Sequence, residues 1–175
     1  PSPETITGIV IQSDAPMTSS FECSNPMLNQ LHSNVIWGQR SNYLEVPTDC
    51  PQRDERLGWT GDTQVFIRSG CYNQDVSAFF TKWITDLMDT QNDAGTFGQQ
   101  APVFHGHGSP AWADAGVICP WTIYEVYGDK RIIEDNYEAM ARFIESCRKI
   151  GHNGHGGGFG DWLAVGSETP KDLIS

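Results

Sequence analysis

Basic residues are scarce in this chain. Over 175 residues, 11 Lys and Arg stand against 22 Asp and Glu, a formal net charge of −11. Phosphate recognition needs clustered Lys and Arg, so this balance argues against nucleic acid as a partner, and equally against docking on anionic membranes. Long apolar runs are also missing: nothing approaches the roughly 18 to 20 residues a membrane-spanning helix requires. The five cysteines, at positions 23, 50, 71, 119 and 147, contain no Cys-x-x-Cys pair. A redox motif or a zinc ribbon is therefore not indicated, and the wide, odd-numbered spacing reads as free thiols. Free thiols lean towards a reducing, cytoplasmic setting; nothing else in the sequence bears on compartment. Pro1-Ser2-Pro3-Glu4 has neither an initiator Met nor a signal-peptide pattern, so the chain is expected to have been processed or cut from something longer. What remains, 38% hydrophobic and 19% charged residues, is enough to build a packed core. A neutral substrate suits this charge balance best.

The chain divides near residue 20. Ile6-Thr7-Gly8-Ile9-Val10-Ile11 is β-branched and strand-like, followed by a polar stretch to Ser20. A lone strand buries no face, so residues 1–20 are expected to be the tail of a preceding β-domain and its linker. From Phe21 the pattern is helical. Asn25-Pro26 is a start signal, and Leu28, Leu31, Val35 and Ile36 mark one face up to about Tyr43. A second helix is expected from Thr60 or Gly61 to Ser69. A third carries Val76, Phe79, Phe80, Trp83, Ile84, Leu87 and Met88 at three- and four-residue steps. Ser109-Pro110 opens a fourth, with Val117, Ile118, Trp121 and Tyr124, ending at Gly128. Asp129 caps a fifth, with Ile133, Tyr137, Met140, Ile144 and Cys147 as its stripe. Helix, long loop, helix is the pattern of stacked helical hairpins whose loops carry function. The apolar stripes, the third and fifth above all, are too wide for one layer to cover. An incomplete toroid is expected, closed by helices that the chain does not supply.

The densest chemistry lies between Val46 and Asp62. Four carboxylates, two arginines and a tryptophan are packed between Pro47 and Pro51 on one side and Gly58 and Gly61 on the other. A solvated charge run with local ion pairs is the plain alternative, since surface pairs are common and weak. Such runs seldom carry prolines that set the backbone and glycines that permit close approach, and seldom place a Trp among the charges. Carboxylates beside an indole suit sugar chemistry: the ring stacks on a pyranose, Asp and Arg bind hydroxyls, and a carboxylic acid protonates the glycosidic oxygen. Burial and neighbouring carboxylates raise the pKa of such an acid and flanking guanidiniums lower it; this segment contains both kinds of neighbour.

The run Asp49-Cys-Pro-Gln-Arg-Asp-Glu-Arg-Leu-Gly-Trp-Thr-Gly-Asp62 resembles the signature of bacterial α-L-rhamnosidases, glycoside hydrolase family 78. The resemblance continues through Ala111-Trp112-Ala113-Asp114-Ala115, through Pro120 to Asp129, and in Gly160-Asp161-Trp162-Leu163, covering residues 21–175 in order. It implies an all-α fold, with 21–175 as the first half of an (α/α)6 barrel preceded by a β-sandwich. It implies an inverting, exo-acting enzyme that removes terminal α-L-rhamnose. Carried over by position, it makes Glu55 the general acid. Asp49, Arg53 and Asp62 become contacts to rhamnose hydroxyls, Trp59 lies against the ring, and Trp112 and Trp162 belong to the aromatic wall. Asp54 and Arg56 would orient the loop. Inverting enzymes hold acid and base roughly 6.5–9.5 Å apart. The family's base is a Glu far downstream, so the expected partner of this segment is the remainder of the barrel, and the chain alone is expected to be inactive.

His105-Gly106-His107 and His152-Asn153-Gly154-His155 look like metal-ligand pairs, but their spacing matches no zinc site and they read as solvent-facing or pocket-rim residues. The carboxylates near position 55 lack the spacing of a calcium loop, so neither a metal nor a cofactor is expected. Two other readings stay open at the level of sequence: a sugar-binding module without catalysis, and another (α/α)-barrel hydrolase of glucoamylase-like or trehalase-like type.

Overall fold

A computed structural model describes residues 2–103, 106 and 111–150. Five helices carry the fold: α1 (Pro26–Asn42), α2 (Thr60–Asn73), α3 (Ser77–Asp89), α4 (Ala115–Tyr127) and α5 (Arg131–Ile150). Between α1 and α2 a small antiparallel hairpin pairs β1 (Tyr43–Leu44) with β2 (Val46–Pro47), in the register Tyr43 to Pro47. Glu45 makes its tight turn at a φ of 65°.

The helix starts follow local chemistry. Asn25 accepts a hydrogen bond from Met27 N at 2.9 Å and Pro26 occupies the first helical position. Asp129 does the same for α5 by accepting from Arg131 N at 3.0 Å. Gly128, in the left-handed region at φ 71°, ends α4 as expected, its N–H donating to Tyr124 O. Two boundaries differ from the sequence reading. α2 runs one turn past Ser69, to Asn73. α4 begins at Ala115, not at Ser109-Pro110, because residues 111–114 form a separate turn in which Ala111, at φ 64°, donates to Asp114 Oδ2.

α4 packs on α2, α3 and α5, and α3 also touches α5, which sets α2 and α4 in one layer and α3 and α5 in the other. The core lies between them. Val76, Phe80, Trp83, Ile84 and Leu87 are wholly buried and Phe79 and Met88 partly so, which leaves less of the α3 stripe uncovered than its width led one to expect. Phe97, from the loop after α3, inserts against Phe143 of α5, with ring centroids 5.4 Å apart, and fills the space left by Gly116. Tyr43 stacks on Phe79 at 4.8 Å and meets Phe66 and Phe80 edge-on.

The unburied apolar surface lies elsewhere. Leu28 and Leu31 of α1 are exposed while Ile36 and Gln39 are buried, so the expected face turns inward only at its C-terminal end. On α4 the buried set is Ala115, Gly116, Cys119, Pro120, Thr122 and Ile123, leaving Ile118 and Trp121 exposed. On α5 the buried face is Ile132, Met140, Phe143 and Ser146, with Tyr137 and Ile144 outside. The run from Ile6 to Ile11 is extended and exposed, with no strand partner among the described residues. Residues 13–18 are tied down: Ser13 N donates to Tyr43 O, Asp75 N to Pro16 O, and Thr18 N to Asn73 O. All five cysteines are unpaired, as their spacing implied. No helix among the described residues is long and apolar enough to cross a membrane.

Candidate active site

The segment from Asp49 to Asp62 is a loop closed on itself and then fastened to the core. Asp49 N donates to Leu57 O at 3.1 Å and Leu57 N returns a bond to Asp49 Oδ1 at 3.0 Å, so the loop's two ends are zipped together. Arg56, at φ 54°, turns the chain back towards that seam and pairs with Asp54 on the exposed side at 3.1 Å. Beyond the seam, Ala101 N donates to Gly58 O, and Thr60 donates to Gln99 O through both its N–H and its hydroxyl. Gly58 permits this clamp, since a side chain there would run into the Ala101 carbonyl oxygen. That same oxygen accepts from the buried Trp83 Nε1 at 3.2 Å, which ties the site to α3.

Inside the loop, Glu55 is held at both oxygens. Trp59 Nε1 donates to Oε1 at 2.9 Å, and Arg53 Nε donates to Oε2 at 2.9 Å with a second guanidinium nitrogen at 2.6 Å. Oxygen or sulfur atoms of Asp49, Cys50 and Glu55 all lie within 4.8 Å of one another. The Glu55 side chain is 26% exposed, so solvent or substrate reaches it, while Arg53 is 63% exposed.

Asp49 opens onto a cleft of about 600 Å³. Its walls include Gln39 and Asn42 of α1, Thr48 and Asp49 of the loop, Asp62 of α2, and Trp112. Trp112 lies flat against Gly61, where a Cβ would stand 2.7 Å from the indole. Arg53, Glu55 and Trp59 are not lining residues; they adjoin the cleft through Asp49. A half-buried indole, two carboxylates and several amide and hydroxyl groups on one cleft match the needs of a polyhydroxylated ring.

The two carboxylates of the cleft are tuned apart. Desolvation pushes Asp49 up, but hydrogen bonds from the Cys50 backbone, the Glu55 carboxyl and the Leu57 backbone together outweigh it and hold Asp49 below the usual range. Asp62 is pushed up, first by desolvation from the surrounding protein even though its edge remains exposed, and then by the charges of Asp49 and Glu55. The Cys50 thiol is also raised, by desolvation and by Asp49.

The sequence reading thus named Asp49, Arg53, Glu55, Trp59, Asp62 and Trp112, and these fall in one neighbourhood. Trp162 and the four histidines at 105, 107, 152 and 155 lie outside the described residues. The reading missed Gln39, Asn42, Thr48 and Gln64 of the cleft wall, and the clamp at 99–101. Gln64 could have been suspected as the second residue after Asp62, but nothing local marks Gln39 or the clamp.

A family model described as the bacterial alpha-L-rhamnosidase 6 hairpin glycosidase domain matches residues 16–175. An alpha-L-rhamnosidase of Streptomyces avermitilis is 47% identical over 180 residues, covering 100% of this chain and 17% of the relative. One from Formosa agariphila is 41% identical over 167 residues, covering 93% and 18%. Among solved structures, the Streptomyces avermitilis alpha-L-rhamnosidase complexed with L-rhamnose superposes with a TM-score of 0.83 at 45% identity, over 93% of this chain and 16% of that one. The alpha-L-rhamnosidase from Dictyoglumus thermophilum gives 0.91 at 37% identity, over 99% and 20%. The chain therefore spans less than a fifth of the length of these curated relatives. Its two helical layers are part of a six-hairpin (α/α) barrel. The chain belongs to the bacterial alpha-L-rhamnosidase six-hairpin glycosidase family.

Proposed function

We propose that residues 21–175 form the acid-bearing part of an inverting, exo-acting α-L-rhamnosidase active site. Glu55 is the general acid. Asp49, Arg53 and Asp62 bind rhamnose hydroxyls, and Trp59, Trp112 and Trp162 form the aromatic wall. The general base comes from a residue outside 1–175. The observation that carries this reading is the placement of the Glu55 carboxyl within reach of Asp49, at the edge of a cleft that also holds Asp62 and Trp112. The rhamnose named in the complex of the 45% identical relative supports the choice of sugar.

The Glu55 O–H bond breaks as its proton passes to the glycosidic oxygen, and the bond from that oxygen to C1 breaks with its electron pair staying on the leaving group. A water attacks C1 from the opposite face and gives its proton to the base, leaving Glu55 as a carboxylate. Arg53 and the Trp59 N–H stand ready to stabilise that charge. Hydrolysis in an NMR tube by the complete enzyme tests the stereochemistry. The first anomer released from an α-L-rhamnoside is expected to be β, before mutarotation; α-rhamnose appearing first would overturn the inverting assignment.

A further inference from the structure

Trp59 enters the account as a platform for the sugar, yet its indole is engaged with a different group. Its Nε1–H donates to Glu55 Oε1 at 2.9 Å. Among the described residues, the other two side chains that hydrogen-bond the Glu55 carboxyl are Arg53 and Asp49, and both belong to the same loop as Glu55. Trp59 lies past the seam of that loop, where the chain is fastened to the core. It caps α2: its carbonyl accepts from Thr63 N at 3.1 Å and from Thr63 Oγ1 at 2.8 Å. It is also bridged to Gln100, and its neighbour Thr60 is fastened to Gln99. The indole N–H is thus a strut from a helix and a buried clamp to a carboxyl that otherwise depends on an exposed loop.

We propose that Trp59 is a positioning residue, which aims the Glu55 carboxyl at the glycosidic oxygen through its ring N–H. The proposal rests on the reading of Glu55 as the general acid. An indole nitrogen only donates, so it engages Oε1 as an acceptor; Oε2 accepts from Arg53 here, so this is the arrangement Glu55 reaches once its proton has passed to the leaving group. As that proton departs, Glu55 gains negative charge and the hydrogen bond to Oε1 strengthens. The interaction is stronger in the transition state than in the ground state, so its loss falls on kcat and not on KM. A sugar platform behaves in the opposite way, because stacking is present in both states.

The test uses Trp59→Phe in the complete enzyme, which keeps an aromatic face and deletes the N–H. Two substrates are compared on one sample: methyl α-L-rhamnoside, whose leaving group needs protonation, and 4-nitrophenyl α-L-rhamnoside, whose leaving group needs it far less. Their ratio of kcat/KM does not depend on what fraction of the variant is folded. Misaiming the acid should lower kcat on the methyl substrate by about 10- to 100-fold, the scale of a misplaced catalytic group. The nitrophenyl substrate should lose less than about threefold, with KM for both nearly unchanged. An unchanged ratio, or an equal loss on both substrates carried by KM, overturns the proposal. Glu55→Gln is measured alongside. If it too leaves the ratio at the wild-type value, the reading of Glu55 has failed; if it shifts the ratio and Trp59→Phe does not, only the role of Trp59 has failed.

Discussion

Asp49 and Asp62 face one cleft and are driven in opposite directions, and the cause is donors. Desolvation raises both, but Asp49 collects hydrogen bonds from its own loop that outweigh it, whereas Asp62 gains too few and is raised further by the charges of Asp49 and Glu55. The consequence for stability has a definite sign. A carboxyl raised in the folded state favours folding when protonated and opposes it when ionised, so its contribution is present at low pH and lost as pH rises through the folded value. At neutral pH Asp62 is therefore a cost, retained in a position suited to a sugar hydroxyl. Asp62→Asn should raise the thermal midpoint at pH 7, by a gain below about 1 kcal/mol because solvent reaches the group. The gain should shrink as pH falls to about 4, near the ordinary Asp value. A lower midpoint at pH 7 would mean that Asp62 has stabilising partners. The identities of these residues were legible from their grouping in fourteen positions, but their different electrostatics were not. That difference depends on which backbone N–H groups the folded loop turns inward.

At the scale of elements, legibility followed how local the signal was. The start of α1 was plain in Asn25-Pro26, and α3 in its stepwise apolar residues, because cap and periodicity act within a few positions. The stripe on α5 was displaced: its expected members Tyr137 and Ile144 are exposed, while Ile132 and Phe143 are buried. The apolar residues of that helix form one broad face, and packing against α4 and Phe97 decides which part of it is covered. The clamp between Gly58 and Ala101 was illegible for the same reason, since it joins positions far apart in the chain. Gly58 was nevertheless expected to permit a close approach, and it does. Gly58→Ala would drive a methyl group into the Ala101 carbonyl and crowd Trp83 Nε1, which stands 3.1 Å from the added carbon. Overpacking of this kind costs about 1–3 kcal/mol. A denaturant midpoint lowered by that amount is the expected result, together with lower activity because the loop bearing Glu55 shifts. Unchanged stability would mean that the clamp opens freely.

At the scale of the whole molecule, the distribution of exposed apolar residues matters. Val65 and Tyr72 of α2 and Ile118 and Trp121 of α4 are uncovered on one side, crossed by the ion pair between Arg68 and Glu125. The opposite layer shows solvent mainly polar groups, such as Thr81, Lys82 and Thr85 of α3 and Glu134, Asp135 and Glu138 of α5. An outer layer facing water and an inner layer with apolar residues to cover is what a portion of a six-hairpin barrel should present. The incomplete toroid was legible in the sequence; which helices would show the uncovered surface was not. The catalytic account depends on one residue in that frame. Glu55→Gln keeps the size of the side chain and an acceptor for the Trp59 N–H but delivers no proton, so it isolates the acid function. In the complete enzyme, turnover of a rhamnoside with a poor leaving group should fall by about 10²–10⁴, with KM nearly unchanged and a smaller loss on an aryl rhamnoside. Equal losses on both substrates, or none on either, would contradict the assignment of Glu55 as the general acid.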